Sequence, residues 1–133
     1  MASIHKEVEI DVPVELVWDA VRDIGAVHTR LVPNVLKDAR LETDSRVVTF
    51  ANGFVVRELI VALDEDRRRF AYAAVGGRTS HHNASIQVFS EGPSKSRLIW
   101  ITDFLPDTMA GPIAALIEQG ALDMKITLEK SNR

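Results

Sequence analysis

The sequence predicts an α+β fold in which a curved antiparallel sheet of about seven strands wraps around one long C-terminal helix, in the order β-α-α-β6-α. Three observations carry the prediction. The first ten residues alternate with a period of two, six extended stretches between Val35 and Phe104 are divided by compact turn-forming groups, and beyond Pro112 the apolar residues recur every three or four positions.

Ile4, Val8 and Ile10 alternate with His5, Glu7 and Glu9, a half-buried strand in which Lys6 is the misfit on the apolar face. Pro13 suits a first helical turn, where its missing N–H is not needed, and Glu15 complements the helix dipole. Val14, Val17, Trp18, Val21 and Ile24 share one helical face as far as Gly25, which predicts a helix of about three turns. Ala26 to Val32 reads as a second helical piece, broken by Pro33-Asn34.

The strands that follow are expected at Val35–Thr43, Arg46–Phe50, Phe54–Leu63, Arg68–Val75, His82–Ser90 and Arg97–Phe104. The groups between them, such as Ala51-Asn52-Gly53 and Gly76-Gly77, are too short for parallel crossovers, so neighbours run antiparallel. Met109, Ile113, Leu116, Ile117, Gly120, Met124 and Leu128 then mark one face of a long helix, the element long enough to cover the sheet. A sheet curved around a single helix closes imperfectly, and the gap becomes a cavity.

The 133 residues suit one domain, 1–133, and no linker or internal repeat divides them. A net charge of −3 with 6% aromatic residues argues against a nucleic-acid partner. The absence of cysteine excludes disulfides and thiolate chemistry. With no signal-like or membrane-length apolar stretch, cytoplasm is the expected compartment and membrane insertion is not expected.

The segments VEIDVPVELVWDAVRD, LDEDRRRFAYAAVGG followed by HHNASIQVF, and SRLIWITDFLP before the terminal helix together resemble the START-like (SRPBCC) helix-grip superfamily. Within it the chain looks most like the polyketide cyclase/dehydrase group, and more distantly like plant abscisic-acid receptors and the major birch pollen allergen. The resemblance implies a helix-grip fold with a cavity for an apolar or aromatic small molecule; it implies no particular reaction. Connections at Asn52-Gly53 and after Gly76-Gly77 are shorter than those of the receptors, so a hormone-receptor gate is not expected.

Similarity to the receptors implies that Glu58, Tyr72 and His82 face the ligand. Strand alternation agrees, putting Val56 and Ile60 on the face of Glu58, and Ala84 on that of His82. The same similarity implies that Ile99, Ile101 and Asp103 point inward, which leaves Trp100 on the outer surface as a candidate dimer contact. Met109, Ile113 and Ile117 complete the expected wall from the terminal helix.

Two situations are open to Glu58: a desolvated, protonated acid, or a carboxylate that reaches solvent or a Lys or Arg partner where the strand twists. His82 has the intrinsic basicity for proton transfer near neutral pH, and Tyr72 can polarise a carbonyl or simply form wall. His81 and His82 point to opposite strand faces, so no metal site is expected, and no cofactor motif is present.

The expected function is binding or carriage of a small hydrophobic or aromatic ligand by a monomer or homodimer. The alternative is a cyclase, aromatase or dehydratase in which His82 and Glu58 move protons and Tyr72 stabilises an enolate oxygen.

Overall fold

Period-two alternation in the first residues produces β1 (Ala2–Ile10), and the computed structural model describes residues 2–132 from that strand onward. α1 (Val14–Arg22) buries Val14, Val17, Trp18, Ala20 and Val21. It is shorter than the spacing predicts because Asp23 leaves the helical region. Arg30 Nη1 reaches back 3.1 Å to the Asp19 carbonyl and 3.1 Å to the Asp23 carboxylate, giving the helix end its partners. A 3₁₀ turn through Gly25 follows, where a Cβ would meet Leu41 at 2.9 Å, so this glycine serves close approach. α2 is one turn, Val27–Arg30.

The six further strands are β2 (Leu36–Leu41), β3 (Ser45–Phe50), β4 (Val55–Asp64), β5 (Arg69–Val75), β6 (His81–Ser90) and β7 (Ser96–Leu105). They form one antiparallel sheet in the order β1-β7-β6-β5-β4-β3-β2, so the first strand closes beside the last. The β4–β5 register shifts between Ile60 and Ala62, a bulge of the kind that increases local twist. α3 (Ala110–Ser131) lays Ile113, Ile117, Gly120, Ala121, Met124 and Leu128 against the inner face.

Lys6 on the inner face of β1 is accommodated because its Nζ lies 2.9 Å from Glu118 of α3. The far end of α3 is fixed to β1 by Lys125 Nζ, 2.6 Å from the Glu9 carbonyl, and by Glu129, which accepts the Asp11 N–H at 2.9 Å. Asp123, the buried acid of α3, accepts both the backbone and the side-chain N–H of Asn34, at 2.8 and 3.0 Å. The loop broken by Pro33 is thereby anchored to the helix. The basic run Arg67–Arg69 turns a corner beside Asp64, 3.2 Å from Arg67 Nη1. No helix among the described residues is long and apolar enough to cross a membrane.

Candidate functional site

Between the inner face of β3–β7 and α3, from its start to Met124, lies a cavity of about 420 Å³. Its deep walls are apolar: Val27, Val32, Val35, Val48, Ile86, Ile113, Ile117 and Met124. Its mouth is framed by Asn52 and Phe54 of the β3–β4 connection, residues 76–79 of the β5–β6 connection, and Met109 and Pro112 at the start of α3. Four polar side chains interrupt the apolar interior: Arg46, Glu58, Tyr72 and His82.

Arg46 and Glu58 stand directly opposite each other on β3 and β4. Arg46 Nε and Nη2 both donate to Glu58 Oε1, at 2.8 and 2.7 Å, and Nη1 donates to the Ile24 carbonyl at 3.0 Å. The guanidinium also lies 5.1 Å from the Phe70 ring centre and 5.5 Å from that of Tyr72. With side-chain exposures of 6% and 13%, the pair is largely desolvated, and each charge depends on the other. Of the two situations open to Glu58, the structure has the ion pair.

Tyr72 stacks on Phe70, its i−2 neighbour on the inner face, at 5.4 Å. Its hydroxyl accepts the Trp100 Nε1–H at 3.2 Å in a bond that crosses β6 from β5 to β7. Burial, reinforced by the negative charge of Glu58, pushes the phenol far above its ordinary value, so the hydrogen stays on the oxygen. With a lone pair committed to Trp100, the O–H is left to donate to whatever enters the cavity.

His82 Nε2 lies 2.8 Å from Thr102 Oγ1, and that hydroxyl donates to the Asn83 carbonyl at 3.2 Å. Thr102 therefore meets His82 as an acceptor, Nε2 carries the hydrogen, and Nδ1 keeps its lone pair. Burial, and next the neighbouring His81, lower the imidazole's pKa and hold it neutral at pH 7. Tyr72 pairs with Ala84, which makes His82 its diagonal neighbour, about 7 Å away along the backbone. A donor and an acceptor thus face the same space.

Among the residues expected at the site, Val56, Glu58, Tyr72, His82, Met109, Ile113 and Ile117 line the cavity together. Ile60 is on the inner face but packs into the core beside the cavity, and Ala84 is buried in the core opposite Tyr72 without lining the cavity. The expected orientation of β7 needs correction. Ile99, Ile101 and Asp103 occupy the outer face, where Asp103 accepts from Ser3 Oγ at 2.6 Å and Asn83 Nδ2 at 3.2 Å. Leu98, Trp100, Thr102 and Phe104 point inward.

Trp100 is consequently a cavity wall rather than a surface dimer contact. The physical reason is charge: the outward set also includes Arg97, which pairs with Glu91 and Glu7. Gly120 makes room for the same ring, because a Cβ there would lie 3.0 Å from it.

Sequence reasoning missed Arg46, Trp100 and the mouth residues Phe54 and Arg78. Arg46 was detectable, since a hairpin turning at Asn52 puts residues 46 and 58 opposite each other. Among the described residues no three His, Asp or Glu side chains converge as metal ligands would.

The family model described as polyketide cyclase / dehydrase and lipid transport matches residues 1–130. No curated protein matches the chain in sequence. Among solved structures, an uncharacterised protein from Bacillus thuringiensis superposes with a TM-score of 0.86 at 16% identity, covering 96% of this chain and 98% of its own. A START superfamily protein from Mycobacterium smegmatis gives 0.71 at 16% identity, covering 91% and 94%. Norcoclaurine synthase from Thalictrum flavum, solved with a transition-state analogue, gives 0.69 at 17% identity, covering 98% and 96%. At these identities the structures establish the fold, and the sequence match establishes descent: the chain belongs to the polyketide cyclase/dehydrase and lipid transport family, in the START-like helix-grip fold.

Proposed function

We propose that this protein binds a small, largely apolar or aromatic molecule in the cavity and orients it with Tyr72 and His82. The observation that carries the reading is the convergence of an unspent phenol donor and an unspent imidazole acceptor on an otherwise apolar space of about 420 Å³. Apolar walls supply affinity and a few polar groups supply orientation. Glu58 contributes indirectly, by holding Arg46 beneath the Tyr72 ring.

The test is a thermal-shift panel of acyl-chain and aromatic compounds on the parent and on Ala74→Phe, which places a ring in the cavity. At least one class should raise the parent's melting temperature and leave the variant's unchanged. Equal shifts in both proteins would place binding elsewhere.

A second reading, proton transfer next to a carbonyl, is favoured by one feature: a neutral imidazole with its Nδ1 lone pair available is a competent base. In this version His82 takes the proton, the Tyr72 hydroxyl stabilises the developing oxyanion, and ion-paired Glu58 transfers no proton. Turnover by the parent that His82→Gln abolishes, with binding retained, would favour it.

A further inference from the structure

The charges lining the cavity do not cancel. Arg46 and Glu58 neutralise each other inside, and Glu58 is the only carboxylate among the lining residues. Arg78, on the β5–β6 connection at the mouth, is left over: it is exposed, and it makes no hydrogen bond or ion pair among the described residues. A protein whose overall charge is −3 therefore presents a cation at the entrance of its apolar cavity. Phe54, Gly77, Met109 and Pro112 line the same mouth, surfaces that suit the neck of an amphiphile.

The interior argues for the same orientation. Each nitrogen of the Arg46 guanidinium already donates to Glu58 or to the Ile24 carbonyl, and its charge is balanced by Glu58, so a buried anion would find no uncompensated cation there. It would also lie close to the Glu58 charge. A neutral polar group, in contrast, finds the Tyr72 donor and the His82 acceptor.

Resting on the binding function proposed above, we infer that the natural guest is an amphiphilic monoanion, an acyl-chain or arylalkyl carboxylate. It sits with its acid group at Arg78 in the mouth and its apolar body inward.

The test compares matched pairs that differ only in the head group: decanoate with 1-decanol, and 2-naphthylacetate with 2-naphthaleneethanol. Dissociation constants are read from the fluorescence of Trp100, which lines the cavity, with Trp18 as an invariant background. For at least one pair the acid should bind the parent about fivefold or more tightly than the alcohol, the range of a charge-assisted contact at a partly exposed site.

Arg78→Ala should bring the acid to within about twofold of the alcohol, and Arg78→Lys should keep most of the difference. About 0.5 M NaCl should reduce the preference in the parent, as screening requires. Because Arg78 is exposed, an unchanged melting temperature is expected for both variants. Equal binding of acid and alcohol, or a preference that survives Arg78→Ala, overturns the head-group assignment while leaving the cavity reading intact. Binding of none of the four compounds overturns both.

Discussion

The two ends of the sheet–helix interface are built from the same elements and behave in opposite ways. At the closed end, Ile10, Val12, Val17, Val88 and Leu98 are almost completely sealed from solvent, and α3 is fastened to β1 through Lys125 and Glu129. At the open end α3 stands away from the sheet, and the gap holds the Arg46–Glu58 pair, Tyr72 and His82. The difference shows where this fold tolerates polar groups. They sit where packing has already been given up, and each has a protein partner that leaves a defined part of its bonding capacity unused.

The contrast is broken most severely at the closed end. Leu98→Ala should cost about 3–5 kcal/mol, because a side chain with 0% exposure leaves a void that nothing can fill. Ile117→Ala, on the cavity wall, should cost less by about 1 kcal/mol or more, since its void merges with existing space. Urea unfolding measures both, and equal losses would mean that the cavity wall is packed as tightly as the closed end.

Next in size is the ion pair. Glu58→Gln should cost about 2–4 kcal/mol by leaving Arg46 charged and largely buried without its partner. The double variant Arg46→Met/Glu58→Leu should recover to within about 1–2 kcal/mol of the parent, the remainder reflecting the Ile24 carbonyl left without a donor. A double variant as unstable as the single one would show that the pair contributes through packing and not through charge.

Tyr72→Phe should cost about 1–2 kcal/mol, since it strands the Trp100 N–H in a buried setting. A red or blue shift of the Trp100 emission should accompany it, and an unchanged spectrum would argue against the bond across β6.

The smallest effect concerns pH. His82 binds its proton less readily in the folded protein than in the unfolded chain, so acid favours unfolding. The corresponding stability is present in full above the unfolded value near 6.5, shrinks below it, and is gone once pH has fallen through the lowered folded value. His82→Gln should flatten the stability profile in that window. A profile unchanged by the substitution would assign the slope to other groups.

Much of the fold was legible because two periods and a series of short turns carry it, and the turns alone force antiparallel neighbours. Boundaries shifted where a side chain from elsewhere intervened, as Arg30 does at the end of α1. At the site, alternation puts Val56 with Glu58 on one strand and Ala84 with His82 on another, and the structure has the same groupings, because a single inward parity suffices there. It failed on β7, where Ile99 and Ile101 compete with Leu98 and Trp100 as apolar sets, and similarity to the receptors chose the wrong one. The deciding information lay at the ends of that strand, where Arg97 and Asp103 belong to the outward set. The partner of Glu58 is a pairwise property that no single-strand pattern contains.

The position of the Arg46–Glu58 pair bears on how the chain avoids folding incorrectly. In the native hairpin each residue from Ser45 to Thr49 meets its counterpart from Leu59 back to Val55. If the strands slipped by one residue in one direction, Arg46 would face Arg57, and two like charges would oppose each other across the ladder. Slipped the other way, it would face Leu59 and Glu58 would lose its counter-charge. Either error also turns a strand's buried side chains toward water. The same pair that shapes the floor of the cavity therefore penalises both neighbouring registers, and a fault in strand alignment is disfavoured before α3, last in the chain, packs onto the sheet.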